Sequence, residues 1–168
     1  MTASPELGTP GTASSELFRA VFRRHAAGVA VITAKGESPV GFTATSLSSV
    51  SADPPMISFG IASASLSWRV VSETDHVGVH LLGEHQRELA AVFARSGADR
   101  FGPPTRWREG PAGVPVLDDV QAWLVCRIVS RVPAGDHRIV IAEVVAGDAA
   151  GPGRPLVYHQ GRFNALRD

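Results

Sequence analysis

Two long apolar-rich runs, residues 120–132 and 138–147, are separated by the short segment Pro133-Ala-Gly-Asp-His137. Strands joined by so short a Gly/Asp/Pro connection must run antiparallel, as a hairpin. A lone two-stranded ribbon is marginal in water, so other elements must cover it. The remaining chain supplies them. Residues 28–34 form a short β-branched run, and residues 40–48 alternate with Phe42, Ala44 and Ser46 on one side. Residues 56–62, after the break at Pro54-Pro55, and residues 77–82 read as further strands. Residues 156–159 and 162–166 close the chain.

Helical spacing occurs in three places. Leu17, Phe18, Val21 and Phe22 recur at one-turn spacing within 16–25, with Ser14 or Ser15 as cap. Residues 65–72 fit a short helix, and within 86–96 Leu89 and Phe93 stack one turn apart. Residues 97–115 are rich in Gly and Pro. Six or more strands with two or three helices, without strand–helix alternation, predict a mainly β fold. The expected form is an antiparallel barrel with flanking helices.

The chain's 168 residues suit one domain, expected over 15–168 behind a disordered Ser/Thr/Pro/Gly leader at 1–14. Sixteen basic and sixteen acidic residues balance, which leaves no field for nucleic acid or an anionic membrane. No apolar run has the ~18 residues of a membrane span, and the first residues are no signal peptide, so the expected compartment is the cytoplasm. Cys126, the single cysteine, excludes an internal disulfide and a thiolate cluster. On strand 120–132 it reads as a small buried hydrophobe.

The chain lacks G-x-x-x-x-G-K-[ST], H-E-x-x-H, C-x-x-C and G-x-S-x-G. Gly151-Pro-Gly153 reads as a turn. His76 and His80 have metal-ligand spacing only on a helix, and this segment reads as strand, so no metal is expected. Any difficult chemistry must therefore come from a bound cofactor. The segment 43–51 carries hydroxyls at Thr43, Thr45, Ser46, Ser48, Ser49 and Ser51. Such a segment can cradle a phosphate or a polar ring edge, or it can be an edge strand facing water. Composition leaves both readings open.

The order of several short motifs goes further. Gly28-Val-Ala-Val-Ile-Thr33, Gly41-Phe-Thr-Ala-Thr-Ser46 and Ser49-Val-Ser-Ala-Asp-Pro-Pro55 come first. Val79-His-Leu-Leu82, Asp99-Arg-Phe101, Gly135-Asp-His137 and Pro155-Leu-Val-Tyr158 follow. Together they resemble the flavin reductase-like family of FMN-binding split barrels, over residues 18–166. The resemblance implies a six-stranded Greek-key barrel that forms a homodimer with flavin near the interface. It implies an NAD(P)H-dependent flavin reductase, the short-chain component of a two-component flavin monooxygenase. NADH or NADPH reduces FMN or FAD, and the reduced flavin serves a separate oxygenase.

By the same resemblance Thr43, Ala44, Thr45 and Ser46 line the flavin, and Ser49, Val50 and Ser51 present backbone amides to its ring edge. Ser63, Ser65 and Ser67 lie near its phosphate, as does Arg100 of the Arg100-Phe101 pair. His80 stands where many relatives have Asn, at a flavin contact. His137 sits near nicotinamide and flavin, as the residue that orients the nicotinamide or manages a proton. Trp107 either covers the flavin or pins its loop. Two other functions are compatible with the residues: a flavin-binding module without turnover, and a self-contained flavoenzyme acting on an organic substrate.

Overall fold

The computed structural model describes residues 11–168. The part of the expected leader at 1–10 lies outside the described residues. In chain order the regular elements are α1 (Ser15–Phe22), β1 (Ala27–Gly28), β2 (Ala30–Ala34), β3 (Val40–Ala44), β4 (Ser48–Ala52) and β5 (Pro55–Ala62). Then come α2 (Leu66–Val71), β6 (His76–Leu81), α3 (Arg87–Ala94), β7 (Trp107–Glu109) and β8 (Pro115–Leu117). The long hairpin β9 (Ala122–Ala134) and β10 (His137–Asp148) follows, and β11 (Leu156–His159) and β12 (Arg162–Ala165) end the chain.

The hairpin is the spine of the molecule. Its strands pair through a two-residue turn, where Gly135 takes the left-handed conformation (φ 61°) that a side chain would resist. On one flank β9 pairs β6, β6 pairs β2 and β2 pairs β3; on the other β10 pairs β5 and β5 pairs β4, all antiparallel. The main sheet therefore has seven hydrogen-bonded strands. Its two outermost members, β3 and β4, are consecutive in sequence, joined by Thr45-Ser46-Leu47. Counted as one bent strand they give the six strands of the expected barrel. The ring is closed by a covalent bend and not by a ladder.

A first core fills the interior, with Ile32, Val77, Val79, Phe59, Val140 and Ala142 from both flanks packed together. Cys126 belongs to it and is fully buried, which pushes its thiol pKa up to about 12. A second core lies on the other face of β2 and β6, where Val31, Leu82, Phe93, Leu117 and Leu156 meet under α3 and the β7–β8 hairpin. At full burial, side chains of this size contribute roughly 1.5–3 kcal/mol each. Because β6 is covered on both faces, Val77, Gly78, Val79 and His80 are all buried.

The cap of α1 follows the sequence reading, and α2 has one of the same kind. Ser14 Oγ accepts from Leu17 N at 3.1 Å to start α1, and Ser65 Oγ accepts from Trp68 N at 3.1 Å to start α2. Among the described residues no helix is long and apolar enough to cross a membrane.

Candidate functional site

Strand β4 pairs β5 only from Pro55 to Ser58, so β5 runs on past it through Gly60, Ile61 and Ala62 with β10 as its sole ladder partner. Strand β3, at the far end of the sheet, pairs only with β2. These two half-paired stretches face each other across the seam of the barrel. One side-chain clasp spans it: Ser46 Oγ accepts from Gly60 N at 2.8 Å.

The seam opens into a cleft of about 900 Å³. One wall is β3 with Thr45 and Ser46; a second is Gly60–Ala62 with the N-terminal end of α2; a third is the α3 end and the loop 96–101. His137, first residue of β10, stands at the rim. The walls mix apolar faces (Phe42, Ile61, Leu66, Phe93, Phe101) with hydroxyls, one carboxylate and one guanidinium. Such a lining suits a flat, partly polar ring with an anionic tail.

Three ties fix β3 at the cleft, one to α3, one to the loop that follows α3 and one to α2. Thr43 Oγ1 donates to Ala90 O at 2.7 Å, Arg100 Nη1 donates to Gly41 O at 2.5 Å, and Ser67 Oγ donates more weakly to that same carbonyl at 3.5 Å. Gly41 has no room for a side chain: a Cβ there would lie 2.8 Å from Phe93 Cε1 and 2.9 Å from Ile32 O. Close approach of strand and helix thus sets the cleft's depth.

Arg100 also donates from Nη2 to Arg95 O at 2.9 Å. Its Nε is sealed from solvent without a partner, and no carboxylate pairs with it among the described residues. Desolvation lowers its pKa from the usual arginine value. Both ends of the fork hold backbone carbonyls, so Arg100 is first of all an anchor of the loop, with unused N–H groups left over. Phe101 beside it stacks edge-on with Phe93 at 5.2 Å between centroids.

At the rim, His137 Nδ1 lies 2.7 Å from Asp136 Oδ1. The hydrogen bond to His137, and then its charge, lower the Asp136 pKa. With the carboxylate on Nδ1, the Nε2 side of the imidazole is left for other partners.

Of the residues singled out from sequence, the cleft brings together Thr43, Ala44, Thr45, Ser46, Ser65, Ser67, Arg100, Phe101 and His137. It does not include Ser49, Val50 and Ser51, which follow the bend along the outer strand β4, where Val50 forms a bulge and is exposed. Nor does it include Ser63, whose Oγ accepts from Arg138 Nη1 at 2.8 Å.

His80 requires a correction. Its side chain is fully buried under the β7–β8 hairpin and not at the cleft. Its Nδ1 donates to Val31 O at 2.9 Å, and Nε2 is sealed without a partner among the described residues. Burial, with a smaller effect from the Arg108 charge, lowers its pKa to about 4 against the opposing Val31 bond. It is a neutral core histidine.

Sequence reasoning missed Ser38, Gly60 and residues 96–98 as cleft walls. Only the glycine at 97, which opens the Gly/Pro-rich stretch, could have signalled that loop.

Comparison with known proteins agrees with this architecture. The sequence pattern of the flavin reductase like domain matches residues 22–167. The chain is 42% identical over 168 residues to an NADH:FMN oxidoreductase of Rhodococcus erythropolis, covering 97% of this chain and 86% of that protein. It is 36% identical over 149 residues to the reductase component of a 4-nitrophenol 4-monooxygenase/4-nitrocatechol 2-monooxygenase from Rhodococcus opacus, covering 87% and 78%. A crystal structure of a flavin reductase domain protein from Arthrobacter sp. FB24 superposes with a TM-score of 0.87 at 43% identity, covering 92% of this chain and 97% of that one. The family pattern over residues 22–167 and the superposition over nearly the whole chain show that the protein belongs to the flavin reductase-like domain family.

Proposed function

We propose that the chain is an NAD(P)H:flavin oxidoreductase whose cleft receives FMN or FAD and whose reduced flavin serves a separate monooxygenase. The observation that carries this reading is the seam cleft itself. It combines half-paired strand edges, a hydroxyl wall and an arginine with no anion against it. A flavin phosphate supplies the missing counter-charge to Arg100, and the hydroxyls of Thr45, Ser65 and Ser67 supply neutral hydrogen bonds. A flavin held there by Arg100 and the hydroxyls would supply the redox chemistry, as acceptor of the hydride that NAD(P)H gives up.

The chain's own task is placement. Phe42, Phe93 and Phe101 exclude water from the apolar part of the cleft, while the Thr43, Arg100 and Ser67 ties hold its wall fixed. Held rings convert an encounter into a reactive geometry, which is where the rate gain lies when no protein nucleophile takes part. His137 at the rim orients the nicotinamide amide or holds a proton there, with Asp136 steadying its ring. The oxygenase partner follows from the similarity to the Rhodococcus opacus reductase component.

A second copy of the chain is the expected mate. The face of α1 built from Leu17, Phe18, Val21 and Phe22 is 54–60% exposed, an apolar patch that a homodimer interface covers. Sedimentation velocity checks this, with a monomer counting against it.

The decisive experiment is steady-state oxidation of NADH and NADPH with FMN and FAD in all four pairings. Turnover that depends on added flavin is expected. Calorimetric titration with FMN should show Thr45→Ala weakened by about 0.5–1.5 kcal/mol. Flavin binding without NAD(P)H oxidation would overturn the catalytic reading and leave a binding module.

A further inference from the structure

Trp107 neither covers the main cleft nor lies idle. It forms one wall of a second, open recess of about 510 Å³, with Pro103, Pro104, Thr105, Arg106 and Asp118. Phe101 belongs to the walls of both cavities, so the recess lies next to the cleft with that ring between them. The indole is fixed in place: Nε1 donates to Phe101 O at 3.2 Å, and the two rings meet edge to face at 5.5 Å between centroids. Yet the residue stays 38% exposed. Its only N–H is already bonded, so what remains to offer a ligand is a rigid aromatic surface.

Charge stands beside that surface. The Asp118 carboxylate lies 3.0 Å from Arg108 Nη1 and 3.9 Å from Arg106 Nε, one anion between two cations. The Arg106 side chain is 84% exposed at the longer contact, free to turn toward a second anion. An immobile indole next to a surplus guanidinium matches a purine that carries phosphate: stacking holds the base and the cation holds the charge.

Resting on the flavin reductase reading, we propose that this recess takes the adenosine diphosphate half of a dinucleotide whose reactive ring occupies the cleft. FAD and NAD(P)H both carry that half and FMN lacks it. The recess therefore bears on which redox pair the enzyme prefers.

The test uses the full-length protein and adenosine diphosphate as probe. Calorimetry should detect ADP binding to the wild type, weakened about tenfold by Trp107→Leu, the usual consequence of losing a base-stacking partner. Trp107→Phe keeps a stacking face but loses the bond to Phe101 O, so it should bind ADP within about twofold of wild type. Arg106→Gln should weaken ADP but not adenosine.

Kinetics then separates the two sources. If FAD fills the recess, Trp107→Leu raises KM for FAD but not for FMN. If the nicotinamide dinucleotide fills it, KM for NADH rises with either flavin. No ADP binding by an active wild type, or equal damage to FMN and FAD kinetics with NADH unchanged, overturns the proposal. Loss of ADP binding in Trp107→Phe as severe as in Trp107→Leu also overturns it, since that marks a loop pin. An inactive wild type that still binds ADP through Trp107 strikes the catalytic reading and supports the recess.

Discussion

His80 makes this protein's stability depend on pH in a calculable way. Its folded pKa of about 4 lies below the ordinary histidine value of 6.5 because the imidazole is sealed from water. Between those values the unfolded chain binds a proton that the folded chain refuses, so the unfolded state gains as pH falls. The stabilising contribution is complete above pH 6.5 and disappears as pH falls toward 4. From pH 7.5 to pH 5 these two pKa values give a loss of about 2 kcal/mol, a large fraction of a domain's net stability.

The perturbation is His80→Asn, which removes the titrating group and keeps an N–H able to reach Val31 O. Asparagine is smaller and leaves some space under the β7–β8 hairpin, so the variant will be less stable at every pH. The informative quantity is therefore the slope. Urea unfolding followed by tryptophan fluorescence at pH 7.5 and pH 5 should show the wild type losing about 2 kcal/mol more than the variant. The carboxylates titrate alike in both proteins and cancel. Parallel pH dependence in the two would refute the reasoning, because it would mean the folded protein accepts a proton at His80 as readily as the unfolded chain does.

Gly41→Ala should cost about 1–3 kcal/mol in urea unfolding, because the new Cβ meets Phe93 Cε1 and the Ile32 carbonyl at 2.8 and 2.9 Å. It should also weaken FMN in calorimetric titration, since β3 must back away from α3. His137→Ala should lower kcat/KM for the nicotinamide about tenfold or more while FMN affinity stays within about threefold. Cys126, fully buried with its thiol pKa pushed up to about 12, should react with an aromatic disulfide reagent only as fast as the protein opens. Labelling and unfolding rates should therefore rise together with urea.

The elements legible in the sequence were those with a local signal. The turn residues between two apolar-rich runs announced the β9–β10 hairpin, the one-turn spacing of Leu89 and Phe93 announced α3, and both lie close to where those signals put them. Strand β4 was not legible as a separate strand. Its Ser-Ser-Val-Ser-Ala run is mostly exposed, and the bend at Thr45-Ser46-Leu47 has neither Gly nor Pro to announce it. The hydroxyl segment was thus readable as chemistry, and the bend then divided it: Thr45 and Ser46 face the cleft while Ser49 to Ser51 run along the outer strand.

His80 was misplaced because the resemblance put it at a flavin contact, which requires the strand face opposite Val77 and Val79 to be open to ligand. Here the β7–β8 hairpin, two three-residue strands with little pattern of their own, covers that face and turns it into a second core.

The covalent closure of the barrel has a thermodynamic consequence. Along the seam, β3 and the far half of β5 keep main-chain groups that neither strand gives to the other, with Ser46 as the clasp described between them. Strand edges without ladder partners open cheaply, so local opening is expected to begin at the seam. A ligand that bridges the seam adds the cross-links that the missing ladder would have made, in the native state only. Mass action then raises the free energy of unfolding by about 2.7 kcal/mol at a hundredfold excess over Kd. In that sense the fold is finished by what it binds, and the melting temperature of this protein becomes a reading of how much ligand surrounds it.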